Sequence, residues 1–390
     1  MPLNAFIKRF CITAATGCVL LCRGAAPAQG PLTPPGTPAP TMKSLQQLSD
    51  AIGALDAGIA QIEPRTPVDS LPGNASALHV ISQSGAYILT GDITGQSGKA
   101  GILINASHVT LDLNGFALLG TTGTLDGITA AAGLVNLTVT NGTVSGWKGD
   151  GVDLSGAQNC RVERVRAENN AGAGIHGGDS GAIEHCIAMN NQTGLRAGAT
   201  ALITHCTAAG NSQHGISALY GATIAWCSVS GSGADGINTD VGANITHCTV
   251  RQSGQAGIRL LSQLSGRQPA AHVTNCTVAW SGTSGGADTG GIISSGNAFI
   301  LDNTIADGKQ TNNTFGILVN GAGTRVDGNL IAQCSKGIVL KAGGNMVVRN
   351  TFSGIAPANL IDSTGTNFIG PTVNDPNSAL AGNPLANVLF

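Results

Sequence analysis

Between residues 101 and 338 glycine followed by an aliphatic residue recurs at intervals of 20 to 34 residues, at Gly101-Ile102, Gly127-Ile128, Gly151-Val152, Gly174-Ile175, Gly194-Leu195, Gly215-Ile216, Gly236-Ile237, Gly257-Ile258, Gly291-Ile292, Gly316-Ile317 and Gly337-Ile338. Near the centre the interval settles at 20 or 21 residues. A fixed period of short apolar strokes separated by turn residues is the mark of a solenoid, in which one coil of chain repeats. A second column runs in the same register. Cys186, Cys206, Cys227 and Cys248 each fall twelve residues after their glycine, and Cys160 and Cys276 belong to the same column in rungs of different loop length. Ile183, Ile203, Ile224, Ile245 and Val273 stand three residues before these cysteines, and Val162, Ala188, Ala208, Val229, Val250 and Val278 two after them.

A repeat of about 21 residues is too short for a helical hairpin or a propeller blade, and the Gly, Thr and Val content does not fit the Leu and Asn skeleton of a leucine-rich horseshoe. The pattern predicts an all-β chain, a right-handed parallel β-helix of about 12 rungs and about 55 to 60 Å in length. Because a solenoid lengthens without starting a new core, 390 residues need not mean several domains.

Four segments are expected. Residues 1–28 read as an export signal, with Lys8 and Arg9 before an apolar stretch and Ala26-Pro27-Ala28 as the cleavage site; Ala15-Thr16-Gly17-Cys18 offers a lipoprotein alternative with a shorter apolar core. Residues 29–40 form a Pro-rich linker. Within 41–66, Leu45, Leu48, Ile52, Leu55, Ile59 and Ile62 make the seam of an amphipathic helix, either a cap on the open end of the solenoid or a short coiled coil that joins copies through residues 45–62. Residues 67–390 carry the rungs and a closing tail. Insertions at 262–272 and 281–290 lengthen two rungs, and regular rungs are expected to end near 355.

Only 10% of residues are charged, 3% are aromatic, and the formal net charge is -2. No basic tract favours nucleic acid, and no later segment is apolar for long enough to make a transmembrane helix. The outer surface offers hydrogen bonds rather than charge. Seven of the ten cysteines lie beyond the export signal. Their spacing along a ladder puts neighbours about 4.8 Å apart, too far for the Cβ separation of about 3.8 Å that a disulfide needs, so free buried thiols are expected.

The stacked Gly-Ile starts, the cysteine column, the stretch VTLDLNGFAL and the closing NPLAN resemble exported bacterial proteins of the right-handed parallel β-helix, pectin-lyase-like superfamily. That resemblance implies a carbohydrate groove on the outward side chains of one sheet, and it spans lyases, hydrolases, epimerases, tailspikes and adhesins.

Within each rung the residue after the inward aliphatic points out, which aligns Asp153, His176, Arg196, Ser217, Asn238 and Arg259. The position before the glycine aligns Asp150, Ala173, Thr193, His214, Asp235 and Ala256. Two polar patches follow. Asp150, Asp153, His176 and Arg196, together with Asn238, are candidate substrate contacts. His214, Asp235, Asp240 and Arg259 are candidate catalytic residues for a lyase or hydrolase, which needs a base or acid and a cation beside a uronate carboxylate. Asp235 and Asp240 could ligate Ca²⁺, although two carboxylates fall short of its six to eight oxygens.

Asn238-Thr239-Asp240 matches one polygalacturonase motif, but the other motifs of that family are missing. Either patch has a plainer explanation as exposed cross-rung ion pairs worth about 0 to 1 kcal/mol. His185, His205 and His247, with Trp226 between the second and third, read as solvated turn residues rather than a zinc site, because no third ligand is in view. The expected function is engagement of a polysaccharide or cell-surface glycan by an exported protein, with a non-catalytic adhesion module as the alternative.

Overall fold

The computed structural model describes residues 46–47, 49–52, 65–261, 269–285, 288–306, 314–355, 360–374 and 382–389. Residues 46–47 and 49–52 are helical. The export signal, the linker, most of the heptad seam and most of the 262–272 insertion lie outside the described residues. Among those described, no helix is long and apolar enough to cross a membrane.

From Pro64 onward the chain is one compact unit. Each central rung places one strand in a 13-stranded parallel sheet and two short strands in a second, 26-stranded sheet. The rung of Thr193–Ala197, Leu202–Thr204 and Thr207–Ala209 is representative. Register between rungs keeps like with like: Leu195 pairs with Ile216, Ile203 with Ile224, and Ala208 with Val229. The all-β parallel solenoid read from the period is the observed fold.

Side-chain alternation along a strand fills the interior, and Ile175, Leu195, Ile216, Ile237 and Ile258 have no exposed surface. The preceding glycine is dictated by packing. A Cβ on Gly215 would stand 2.3 Å from Val229 Cγ1 and 2.8 Å from the Gly236 carbonyl oxygen, so the rungs close only over a bare α-carbon.

Between the two short strands the chain turns at one left-handed residue, with φ of 54° at His185, 55° at His205, 58° at Trp226 and 54° at His247. The next residue points inward, and this is the cysteine position. All seven cysteines among the described residues are buried and unbridged. Five, Cys186, Cys206, Cys227, Cys248 and Cys276, share this corner; Cys160, read from the sequence into the same column, lies instead at the entry to the first short strand, level with Gly181, and Val165 takes the corner beside Cys186. Cys334 does not share it either, contrary to a single column: register places it at the other corner, following Asn170, Asn191, Asn211, Ser232, Ser253 and Ser281.

After Cys276 the first corner changes chemistry. Asn303, Asn329, Asn350 and Asn387 occupy it, and each passes hydrogen bonds along the axis. The Asn303 N–H donates to Asn329 Oδ1 at 3.0 Å, and the Asn329 N–H to Asn350 Oδ1 at 3.0 Å. The Asn329 amide also donates to the Ile300 carbonyl at 2.9 Å. These amides satisfy backbone groups that the corner takes out of the sheet ladders.

Strand pairing also continues past the expected end near 355. Leu360–Asp362 pairs with Ile338 to Leu340, and Asn387–Leu389 pairs with Thr351 and Phe352. Tail residues therefore extend the solenoid. The 262–272 insertion is likewise shorter than expected, because Ala271–Thr274 is a strand.

Two tests follow from the corners. Asn329→Ala strands the Asn303 N–H and the Ile300 carbonyl, at about 1–3 kcal/mol for each buried group, so the urea midpoint should fall with an unchanged slope. Thiol titration of a chain beginning at residue 29, unfolded without reductant, should count all seven cysteines; two or fewer would contradict the unbridged column.

Candidate functional site

Asp153, His176, Arg196, Ser217, Asn238 and Arg259 pair in direct succession along the 13-stranded sheet, as the repeat implies. The row continues with Ile293, Leu318 and Val339, which are buried in a satellite apolar cluster with Phe315 and Ala256. From Asp153 the polar stretch thus runs through six rungs and ends where the outward positions become apolar.

In the central patch the sequence places Asp235 correctly along the axis but not in depth. Its side chain is 2% exposed. Arg259 Nε donates to Asp235 Oδ1 and Oδ2 at 3.0 and 2.9 Å, Asn238 Nδ2 donates to Oδ2 at 2.9 Å, and the Ala256 N–H donates to Oδ1 at 2.9 Å. Both oxygens are therefore committed. The exposed ion pair expected between His214 and Asp235 is instead a buried carboxylate with His214 Nδ1 at 3.7 Å, beyond hydrogen-bond reach.

Asp240 stays apart. Among the described residues, no hydrogen bond or ion pair joins it to Asp235, His214 or Arg259; its Oδ1 is buried without a partner, and burial raises its pKa above the usual carboxylate value. Of the quartet read as catalytic, His214 and Arg259 thus gather at the Asp235 carboxylate, and Asp240 makes no bond to them among the described residues.

His214 has a different character. Burial holds its imidazole below the ordinary histidine pKa, the Asp235 charge partly offsets this, and the Arg259 and Arg196 charges reinforce it. Its Nδ1 is buried without a hydrogen-bond partner. Beside it, Arg196 has no carboxylate partner among the described residues, whereas Arg259 is held by Asp235.

In the other patch the His176 Nδ1 stands 3.3 Å from Asp150 Oδ2 and 3.8 Å from Asp153 Oδ1. Asp126 joins this patch and was not singled out from the sequence: its Oδ1 accepts the Asp150 N–H at 2.7 Å, and burial raises its pKa. Its signal was available, since Asp126 precedes Gly127 in the same column as Asp150.

On another face, His185, His205, Trp226 and His247 stack in sequence, with ring centroids 5.1, 6.4 and 4.1 Å apart, and Trp226 is 55% exposed.

A family model described as "Right handed beta helix region" matches residues 68–199 and 127–266, together just over half of the chain. Among solved structures, the chain is similar to the periplasmic alginate epimerase AlgG at 13% identity and a TM-score of 0.47, over 79% of this chain and 78% of that one. It is similar to the A-module of the Azotobacter vinelandii mannuronan C-5 epimerase AlgE4 at 14% identity and a TM-score of 0.49, over 83% and 94%. PfbA, a surface adhesin of Streptococcus pneumoniae, matches at 11% identity and a TM-score of 0.44, over 84% and 90%. No curated protein matches the chain.

The depressed His214 pKa fixes a pH dependence. The unfolded imidazole titrates near 6.5 and the folded one lower. The folded state therefore binds fewer protons in that window, and stability that is complete above pH 6.5 drains as pH falls through it. Thermal unfolding between pH 8 and 5 should reveal this loss, and His214→Gln should flatten it.

Proposed function

This chain belongs to the right-handed β-helix family, and from that premise we propose that it engages an acidic polysaccharide outside the cytoplasm, along the outward row from Asp153 to Arg259. The observation that carries the proposal is Arg196. Every other charged member of the row is engaged: Asp153 approaches His176, and Arg259 is locked on Asp235. Arg196 leaves a guanidinium without a carboxylate partner among the described residues, between His176 and Ser217 in the register. A planar fork of donors suits a uronate carboxylate, which accepts two parallel hydrogen bonds. Ser217 and Asn238 then offer hydroxyl and amide groups to successive sugars at the rung spacing of about 4.8 Å. The export signal read in residues 1–28 supports a location where such polymers occur.

A second possibility, proton abstraction from the bound uronate, has one specific observation in its favour. His214 is held neutral beside Arg196, as a general base must be while a cation stabilises the developing charge. The locked carboxylate of Asp235 would then be structural, and Asp240 would take no part.

Affinity electrophoresis in gels containing pectate or alginate should retard the protein, with dextran as the neutral control, and Arg196→Ala should weaken retardation about tenfold, the loss of one charge-assisted bidentate contact. Absence of retardation on every polyuronate, or an unaltered Arg196→Ala variant, would overturn the proposal. Growth of absorbance at 235 nm on the same polymers, abolished by His214→Ala, would add catalysis by elimination to binding.

A further inference from the structure

Among the described residues, Asp150, Asp153 and His176 bring ligand atoms within 4.8 Å of one another. Two carboxylates converge on a single ring nitrogen, with Asp150 Oδ2 at 3.3 Å and Asp153 Oδ1 at 3.8 Å from His176 Nδ1. One N–H can point at only one of them. A cation on the nitrogen lone pair can serve both, since oxygen and nitrogen ligands about 2.0–2.2 Å from a metal stand about 3–4 Å from each other.

The surroundings hold these groups in place. The Ala173 N–H donates to Asp150 Oδ1 at 2.6 Å, which leaves Oδ2 toward the imidazole, and the Ser155 N–H anchors Asp153 Oδ1 at 2.9 Å. Gly172 permits the first arrangement, because a Cβ there would lie 2.1 Å from Asp150 Oδ1. Asp126 adds a third carboxylate behind Asp150, and among the described residues no lysine or arginine forms an ion pair with any of the three. His176 is their one basic neighbour in contact. The cluster is thus rich in negative charge, pre-shaped, and mixed in its donors.

We propose that Asp150, Asp153 and His176 form a binding site for a divalent transition-metal ion of the zinc or cobalt class, with the remaining coordination positions facing solvent. An imidazole nitrogen with two carboxylates suits such ions, whereas Ca²⁺ prefers an all-oxygen shell of six to eight ligands. The site stands independently of glycan binding, because it needs neither Arg196 nor a sugar.

The test uses the full chain from residue 29, stripped with chelator and titrated calorimetrically with Zn²⁺. One equivalent should bind, millimolar Ca²⁺ should fail to displace it, and His176→Ala and Asp150→Asn should each weaken binding by at least about tenfold, as loss of a ligand requires. His205→Ala, in the stacked rings, should leave it unchanged. Substituting Co²⁺ in the unaltered protein gives a readout that does not depend on the variants folding: d–d bands without sulfur charge transfer are expected. Equal Zn²⁺ affinity in folded His176→Ala, or a thiolate charge-transfer band with Co²⁺, would overturn the proposal.

Discussion

Each rung hangs from its neighbours by parallel backbone hydrogen bonds, such as Leu195 N–H to the Gly215 carbonyl and Ile216 N–H to the Gly236 carbonyl, both at 2.9 Å. These bonds fix more than the backbone. Because side chains alternate between faces with a period of two, a slip of one residue would turn Ile203, Ile224 and Ile245 outward together and bury their polar neighbours. The interior therefore locks the register, and the register aligns whatever the outer face carries. Glycine is part of the same constraint, since the Gly215 position cannot admit a Cβ against Val229.

Corners are where this economy is strained, because backbone groups leave the sheet ladders there and side chains must replace them. At the first corner the solution changes along the axis, from the five cysteines Cys186 to Cys276 to Asn303, Asn329, Asn350 and Asn387. Thiols are weak donors and apolar enough to pack, whereas amides give and accept stronger hydrogen bonds. The left-handed residue just before carries its own cost, about 1–2 kcal/mol for a side chain other than glycine. Stacking of Trp226 on His247 at 4.1 Å recovers a comparable amount, about 0.5–1.5 kcal/mol for a ring pair. The ring ladder is thus consistent with a stabilising role in the turns it occupies.

How much could be read in advance follows from the same geometry. The Gly-aliphatic period gives axial position directly, which is why the row Asp153, His176, Arg196, Ser217, Asn238 and Arg259 was legible before any coordinates. Depth was not. Asp235 precedes its glycine just as Asp150 does, yet one carboxylate is buried under Arg259 and Asn238 while the other stays half-buried beside His176. That difference depends on which side chains stand one rung further on, and a period does not record it. The asparagine column escaped notice because asparagine also marks ordinary turns, and its spacing is disguised by the rungs of unequal length around residues 281–315.

A solenoid can alter its outer face one rung at a time without disturbing the core, and here that freedom produces a graded strip. Carboxylates dominate at Asp126, Asp150 and Asp153; imidazole and guanidinium follow at His176, Arg196 and His214; a locked carboxylate–guanidinium pair closes the polar run at Asp235 and Arg259. Beyond it Ile293, Leu318 and Val339 bury the same outward positions. Six rungs at about 4.8 Å leave a polar strip about 24 Å long between its first and last side chains. An extended polymer lying along it would meet negative charge at one end, near the middle a guanidinium without a carboxylate partner among the described residues, and an apolar stop at the other. The strip therefore has a direction, and a repeating anionic ligand could satisfy Arg196 and avoid Asp150 and Asp153 in only part of its length unless a cation intervened at the carboxylate end.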